Sequence, residues 1–422
     1  MQYLSPRLKR EDRHSNLDRT EGERLWEQRW DATLKLRARR FAGNRQHAAR
    51  WAEADWKFLQ LSSQANETAL LLGGIYAKAL NHWGVQLRQA GQEDAAQKWF
   101  ERALTFDPDN LAVHINLETI SRRKKDDHSR LTLAWAKEAY PQLINKYQTW
   151  PEVVSRNGPV DEPTFLVLSG LMHFNSASPR QARECFIRSM ALAPDWPAPK
   201  LGAAQMMNVL GDFAGAEALS AVVLRQENTL RAPALVQLLN ARAAALWRLG
   251  QTNAALEFIE TYATRHQDVN EVVNTAADVC AALGRFDMEL KWRMLLVQRD
   301  PKQIEWLIKQ GRAEINCRRY EAAQRTLTSA LELQPTSAEA RLFRAVAALE
   351  TGQFDAAHQD YQELLKNPAH APQALFGLGA MAWRQRDTNA IIQYYRSFLT
   401  NSAVNSPQAI MATQRLKALQ DE

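Results

Sequence analysis

The chain has 422 residues, of which 45% are hydrophobic and 24% are charged, proportions that are ordinary for a folded protein. The formal net charge is +6, and residues 1–50 account for all of it: they hold 13 Lys or Arg and 7 Asp or Glu, which leaves 40 residues of each sign in the rest of the chain. This distribution argues against a general nucleic-acid binder, which carries positive charge along its working face. There is no apolar run long enough to cross a bilayer, and the start lacks the apolar core of a secretory signal.

Residues 1–75 are predicted to form a basic, non-standard N-terminal helical cap. Four tryptophans recur there at helical spacing: Trp26, Trp30, Trp51 and Trp56. Acids and bases alternate between them, which favours helix faces held by salt bridges. The alternative is an electrostatic contact between this segment and anionic lipid.

A repeated unit begins after this cap. An alanine that opens an Ala-x3-aromatic or aliphatic step recurs in register, and we call it the marker position; its members are Ala96, Ala182, Ala216, Ala255, Ala323, Ala357 and Ala390, with Glu289 in the same place between Ala255 and Ala323. The successive intervals are 86, 34, 39, 34, 34, 34 and 33 residues. A period of 34 is the length of one pair of helices with its turns. The interval of 86 predicts that one further repeat is degenerate and carries an insertion.

Small residues in the unit have physical reasons. Gly84, Gly170 and Gly311 fall where the first helix of a unit meets the second, and a small residue there lets the two backbones approach closely. A glycine five residues before the marker permits the positive φ that ends a helix abruptly. A proline after the second helix, such as Pro108, stops that helix and fixes the turn into the next unit.

The best unit resembles the tetratricopeptide-repeat consensus. It has Leu80, Trp83, Gly84 and Leu87 in its first helix, followed by Ala96, Phe100, Ala103 and Pro108. The resemblance implies an all-α fold, an α-solenoid of stacked antiparallel helix pairs that forms a tetratricopeptide superhelix. On this assignment the regions are residues 76–110 (first unit), 111–162 (degenerate repeat with insertion), 163–402 (seven consecutive units) and 403–422 (C-terminal capping helix).

A second resemblance covers about residues 75–200. Asn-Leu-Glu at 116–118, the Trp150-x-x-Val153 segment and NGPVDEPTF at 157–165 are similar to a group of long bacterial tetratricopeptide proteins. In that group a multi-helix membrane domain precedes the repeats. The resemblance implies that this chain is the soluble repeat half of a membrane-anchored protein that regulates or assembles an envelope complex.

No catalytic or metal-binding motif accompanies the repeats. The chain lacks a P-loop, H-E-x-x-H, G-x-S-x-G and C-x2-C, so we predict no enzyme activity, no catalytic residue, no metal and no cofactor. Cys185, Cys280 and Cys317 are widely separated, which favours reduced thiols in a cytoplasmic protein, either free or tethered at the inner membrane. The basic run RRKK at 122–125 is interpreted as a solvated helix end, with attraction of acidic lipid or nucleic acid as the alternative.

The candidate site lies on the first helix of each unit, since the resemblance implies that this helix lines the concave face. Among its outward positions, which are apolar in several units, we single out eight residues: Asn81, Asn240, Trp247, Arg248, Asn274, Asp278, Arg312 and Asn316. Amides can donate to and accept from the backbone of an extended peptide. A tryptophan beside arginines is typical of binding hot spots. We therefore expect these eight residues to contact a partner, and those from Asn240 to Arg312 to form one continuous surface.

The sequence favours a non-catalytic scaffold or adaptor that binds a protein or an extended peptide segment in this groove. One alternative is the membrane-anchored bacterial protein described above, and another is the regulatory part of an enzyme whose catalytic domain lies elsewhere. A helical-repeat RNA binder is disfavoured by the period of 34 and by the zero net charge beyond residue 50. We expect no sequence-specific nucleic acid as a partner, and membrane contact only through the basic N-terminal segment or an upstream domain.

Overall fold

The computed structural model describes Arg24, Glu27, Gln28 and residues 67–127, 129–400 and 406–419. The regular structure of these residues is helical throughout, without a strand. The predicted cap over residues 1–75 lies outside the described residues, its four tryptophans included, except for Arg24, Glu27, Gln28 and its last part, where the first long helix begins at Glu67. Across the described ranges, no helix is both long enough and apolar enough to span a membrane.

The chain divides into two compact units, residues 1–219 and 220–422. The helices that begin in unit 1 are α1 (Glu67–Gln89), α2 (Glu93–Phe106), α3 (Leu111–Lys124), α4 (Leu133–Ala139), α5 (Pro141–Ile144), α6 (Trp150–Asn157), α7 (Pro163–Asn175), α8 (Pro179–Leu192), α9 (Pro197–Leu210) and α10 (Phe213–Leu224). Unit 2 contains α11 (Ala232–Arg248), α12 (Thr252–Arg265), α13 (Asn270–Ala282), α14 (Phe286–Arg299), α15 (Ile304–Asn316), α16 (Tyr320–Leu333), α17 (Ala338–Glu350), α18 (Phe354–Leu365), α19 (Ala371–Gln385), α20 (Thr388–Thr400) and α21 (Pro407–Ala418).

Adjacent helices pack in pairs, and the pairs stack on one another within each unit. In unit 1, α1 packs on α2 and α7 on α8; in unit 2 the pairs run from α11–α12 to α19–α20, and α21 packs on the last of them. The fold is therefore all-α and built from stacked antiparallel helix pairs, as the sequence predicts.

The segment 111–162 departs from this plan. Its first helix, α3, is regular and ends at a left-handed residue, Asp126 (φ 59°). Leu131 is buried but lies outside a helix, and the second helix is replaced by three short ones, α4 to α6. Their apolar side chains form a core of their own with Leu111, Ile115 and Phe165.

In several pairs, a glycine of the first helix lets a side chain of the second helix pack closely against it. A Cβ added to Gly84 would lie 2.5 Å from the ring of Phe100, and one added to Gly311 would lie 2.5 Å from Cγ of Leu327. Both partners stand four residues after a fully buried marker alanine, Ala96 or Ala323. The reason inferred from the sequence for these small residues is thus confirmed.

The turn inside each pair needs a positive φ. Gly352 supplies it with φ 74°, whereas Ala177, Arg318 and Arg386 adopt it at 53°, 57° and 60° without being glycine. The position of Arg386 also corrects the marker predicted for the last repeat. The residue five positions after this turn is Ile391, not Ala390. Ile391 is 2% exposed, and its N–H donates to the carbonyl of Asp387 in the register that every marker residue follows.

We expect Ala255→Trp to lower the free energy of unfolding by about 1–3 kcal/mol or more, because Ala255 is fully buried in α12 and an indole would overpack the contact between α11 and α12. Urea denaturation measures this change. Ala254 is exposed on the same helix, so Ala254→Trp is the matched control and should leave the midpoint nearly unchanged. Equal effects of the two substitutions would contradict the assignment of the buried face.

Candidate partner-binding surface

The eight predicted residues fall into three groups. Asn81 lies on α1 in unit 1, and three others lie along α11 in unit 2: Asn240, Trp247 and Arg248. The remaining four lie on the next two first helices: Asn274 and Asp278 on α13, and Arg312 and Asn316 on α15.

Asn81 is not open to a partner, which corrects the expectation from the sequence. Its side chain is fully buried, and its amide donates to the carbonyl oxygens of Asn157 and Pro159, both at 3.0 Å. Its Oδ1 accepts from the amide of Asn116 at 2.9 Å. The insertion in the degenerate repeat covers this position, so Asn81 binds the chain's own backbone where an extended peptide was expected.

The same segment contains two buried carboxylates. Asp161 receives two hydrogen bonds from the guanidinium of Arg188, at 2.8 and 2.6 Å, while Arg88 donates to its backbone carbonyl. Glu162 caps α7 by accepting from the N–H of Phe165 at 3.1 Å and also accepts from the N–H of Leu131 at 3.0 Å. Burial nevertheless dominates, and raises the pKa of Glu162 to about 7.

The α11 group presents an aromatic and cationic surface. Trp247 is 43% exposed, and the guanidinium of Arg248 lies 4.8 Å from the centroid of its ring. Asn240 is exposed two turns earlier, and Leu249 adds a further exposed apolar side chain at the helix end. This arrangement can bury an apolar group of a partner and pair with a negative one.

The α13 and α15 group belongs to a cluster of charged residues centred on Arg293, a fully buried side chain of α14. Arg293 donates to Oδ1 of Asn274 at 2.6 Å and pairs with Asp278. Lys309 of α15 also reaches Oδ1 of Asn274, at 3.4 Å. Asn274 and Asp278 are therefore held in place by side chains of the two following helices.

Glu289 completes this cluster. It is fully buried at a marker position that is alanine in most other units, and neither of its carboxylate oxygens has a hydrogen-bond partner. Its charge is balanced by Nε of Arg293 at 3.6 Å and by Nη2 of Arg312 at 3.5 Å. Arg293 and Lys309 were missed from the sequence, although the exchange of the marker alanine for Glu289 was a visible signal that a buried partner was needed.

The four predicted residues of α13 and α15 lie on neighbouring helices. Within the described residues, they are connected to the predicted residues of α11 only through the packing of the helices. Helix α11 packs against α13. Among the described hydrogen bonds and ion pairs, however, none joins Asn240 or Trp247 to Asn274. Asn316 is exposed at the C-terminal end of α15. One continuous surface from Asn240 to Arg312 stays a prediction.

Burial raises the pKa of all three cysteine thiols, Cys185, Cys280 and Cys317. Burial raises the pKa of Cys185 to about 11 and that of Cys280 to about 12, so both thiols are protonated at neutral pH. Within the part of the chain that the structure describes, no group of three His, Cys, Asp or Glu side chains is arranged to hold a metal ion.

Three family models described as tetratricopeptide repeat match the chain, over residues 111–302, over residues 308–357 and 344–408, and over residues 77–110. A search of curated proteins gave no significant match. Among solved structures, the C-terminal part of a TPR repeat-containing protein from Cytophaga hutchinsonii is 15% identical with a TM-score of 0.43, and the match covers 58% of this chain and 98% of that one. A tetratricopeptide repeat protein from Parabacteroides merdae is 14% identical (TM-score 0.42, 60% and 97% covered). The human IFIT1 dimer with m7Gppp-AAAA is 18% identical (TM-score 0.39, 84% and 86% covered).

Arg293→Ala is expected to lower the free energy of unfolding by about 3–5 kcal/mol, because it leaves the buried carboxylate of Glu289 with Arg312 alone. Lys291 of the same helix forms an exposed ion pair with Glu260, so Lys291→Ala should cost less than about 1 kcal/mol. Thermal and urea unfolding of both variants measure the contrast. A small loss for Arg293→Ala would show that the cluster adds little to stability.

Glu162 should make stability depend on pH. Its pKa is raised from 4.5 to about 7 in the folded chain, so the folded state binds this proton more tightly than the unfolded state. The resulting stabilisation is fully present below the unfolded pKa and is lost as the pH rises through 7. From about pH 5 to about pH 8, the wild-type chain should lose on the order of 1–3 kcal/mol relative to Glu162→Gln. Urea titrations across this range measure the difference, and a difference that does not change with pH would refute the assignment.

Proposed function

The chain belongs to the tetratricopeptide-repeat family, and from this premise we propose that it is a non-catalytic scaffold that binds a segment of another protein on the outward side of α11, α13 and α15. Tetratricopeptide repeats in general serve as protein-interaction modules, and solenoids provide extended surfaces for this purpose. Asn81 is left out of the proposed surface because it is buried.

The observation that carries this proposal is the exposure of Trp247. Burial of a side chain of this size against a partner removes a large apolar area from water, and tryptophan and arginine dominate binding hot spots. The Trp247 ring already lies beside the Arg248 guanidinium, so less freedom is lost when a partner docks. A segment with an apolar side chain opposite Trp247 and a carboxylate opposite Arg248 fits this chemistry.

The charged cluster around Arg293 also supports this proposal, because it holds residues of the proposed surface on α13 and α15. Asp278 exposes 48% of its side chain and Arg312 38%, while their partners Arg293 and Glu289 are fully buried. Polar groups held by buried partners are ordered before a ligand arrives, which lowers the entropic cost of binding. The exposed parts of Asp278 and Arg312 can then orient the backbone or a polar side chain of the segment.

We expect Trp247→Ala to weaken binding of the partner segment by about 2 kcal/mol, roughly 30-fold, while unfolding changes by less than about 1 kcal/mol. A photo-crosslinking residue at position 240 would first identify the peptide that contacts this surface. Titration calorimetry with that peptide then compares the wild-type chain with Trp247→Ala.

Phe174→Ala is the matched control, since Phe174 is an exposed aromatic side chain (48%) on α7, outside the proposed surface. It should bind the crosslinked peptide with unchanged affinity. If Trp247→Ala also binds at wild-type affinity, the partner surface lies elsewhere on the chain.

A further inference from the structure

Unit 1 contains a small pocket that the proposed partner surface does not use. Its wall includes four arginines from three parts of the chain, and we call it the arginine pocket: Arg88 of α1, Arg122 and Arg123 of α3, and Arg130 before α4. Its volume is about 30 Å³, room for one water molecule or for the oxygens of one small anion.

Arg88 carries hydrogen-bond donors without partners. Its side chain is 1% exposed, and its Nε and Nη2 lack any hydrogen-bond partner, while Nη1 donates to the backbone carbonyl of Asp161. The nearest carboxylates are those of Asp161 at 3.5 Å and Glu93 at 3.9 Å, and Asp161 is already engaged by Arg188. A buried donor left unpaired costs about 1–3 kcal/mol, so an acceptor that came within reach of these groups would be favoured.

The other three guanidinium groups are held in place by neighbouring side chains. Arg122 donates to Oγ of Ser129 at 3.1 Å and lies 3.7 Å from the carboxylate of Asp127, both in the pocket wall. Arg122 donates to Glu118 at 2.8 Å and Arg123 to Glu93 at 3.0 Å, which leaves their side chains only 24% and 31% exposed. Arg130 lies 3.8 Å above the ring of Trp196. The first two residues of the RRKK run are therefore more enclosed than the solvated helix end expected from the sequence.

We propose that the arginine pocket binds a single phosphate group, free or carried as a monoester. Guanidinium groups that come from three parts of the chain suit a tetrahedral oxyanion, whose oxygens point in several directions, better than a planar carboxylate, which one arginine can bind alone. The small volume admits the phosphate and leaves any larger group that it is attached to outside.

The carboxyl group of Glu162 also lines the pocket. Burial raises its pKa to about 7, so near neutral pH it is partly protonated and repels an anion less than an ionised carboxylate does. Asp127, the other acid of the wall, accepts from the N–H of Ser129 at 2.9 Å. The pocket that Arg88 helps to line thus has negative groups that are partly neutralised or engaged.

Titration calorimetry of the full chain with sodium phosphate, at an ionic strength held constant with sodium chloride, tests the proposal. We expect one saturable site per chain with a Kd of about 1 mM or below. Arg88→Lys should weaken binding at least about 10-fold, because an ammonium cannot reproduce the Nε and Nη2 donors. Arg130→Gln, which removes a guanidinium that stacks on Trp196, should weaken it by about 3- to 10-fold and serves if Arg88→Lys does not fold.

Arg156→Gln is the control, since Arg156 lies on α6 outside the pocket with 66% of its side chain exposed, and it should bind like the wild-type chain. Glycerol 3-phosphate in place of phosphate separates the two sources: binding supports a site for monoesters, and its absence a site for free phosphate. The proposal is overturned by any of three results: no saturation below about 10 mM, acetate binding as tightly as phosphate, or full affinity in the folded arginine variants.

Discussion

The contact on which the fold depends is the one between the two helices of each pair. At Gly84 and Gly311 the first helix has no side chain, and the ring of Phe100 or the side chain of Leu327 fills that space from the second helix. The buried marker alanine one turn earlier completes the fit. A helix pair built in this way still exposes one apolar face, so it is stable only against its neighbours. The same 34-residue pattern therefore sets both the pair and its stacking.

One repeat has a charged residue at the buried marker position, and its interior is therefore polar. With Glu289 in place of the marker alanine, a carboxylate is buried where a methyl group would fit. Removing such a charge from water costs several kcal/mol unless partners compensate it, and here Arg293 and Arg312 do so. Arg293 in turn fixes Asn274 and Asp278 on the preceding helix. The break in the repeat thereby orders polar groups on the helix that packs against α11, which carries the exposed Trp247.

In the degenerate repeat, hydrogen bonds to irregular backbone take the place of packing against a regular second helix. Where the second helix is missing, the segment from Asn157 to Glu162 runs across α1 and α3 and is held by the buried amides of Asn81 and Asn116. Irregular backbone can be buried only when its polar groups find partners. This requirement accounts for the unusual number of buried polar residues in one repeat, and also for the enclosure of Arg88 beside it.

The sequence was sufficient to predict those features of the fold that depend on contacts between residues close together in the chain. The period, the helix pairs and the glycine contacts follow from residues a few turns apart, and the repeat phase placed Trp247 and Asn240 on an outward side that the structure shows to be exposed. The same phase failed at Asn81, because the segment that covers it lies 76 residues further along the chain. It also misplaced the last marker, since Ala390 fits the pattern in letters but Ile391 is the residue that is buried. A repeat pattern predicts which face of a helix a side chain lies on, but it does not predict which other residues pack against that face. Glu289, Arg293 and Arg88 illustrate this limit. Each is a buried charged residue with a partner on another helix or in the insertion, which the repeat pattern does not show.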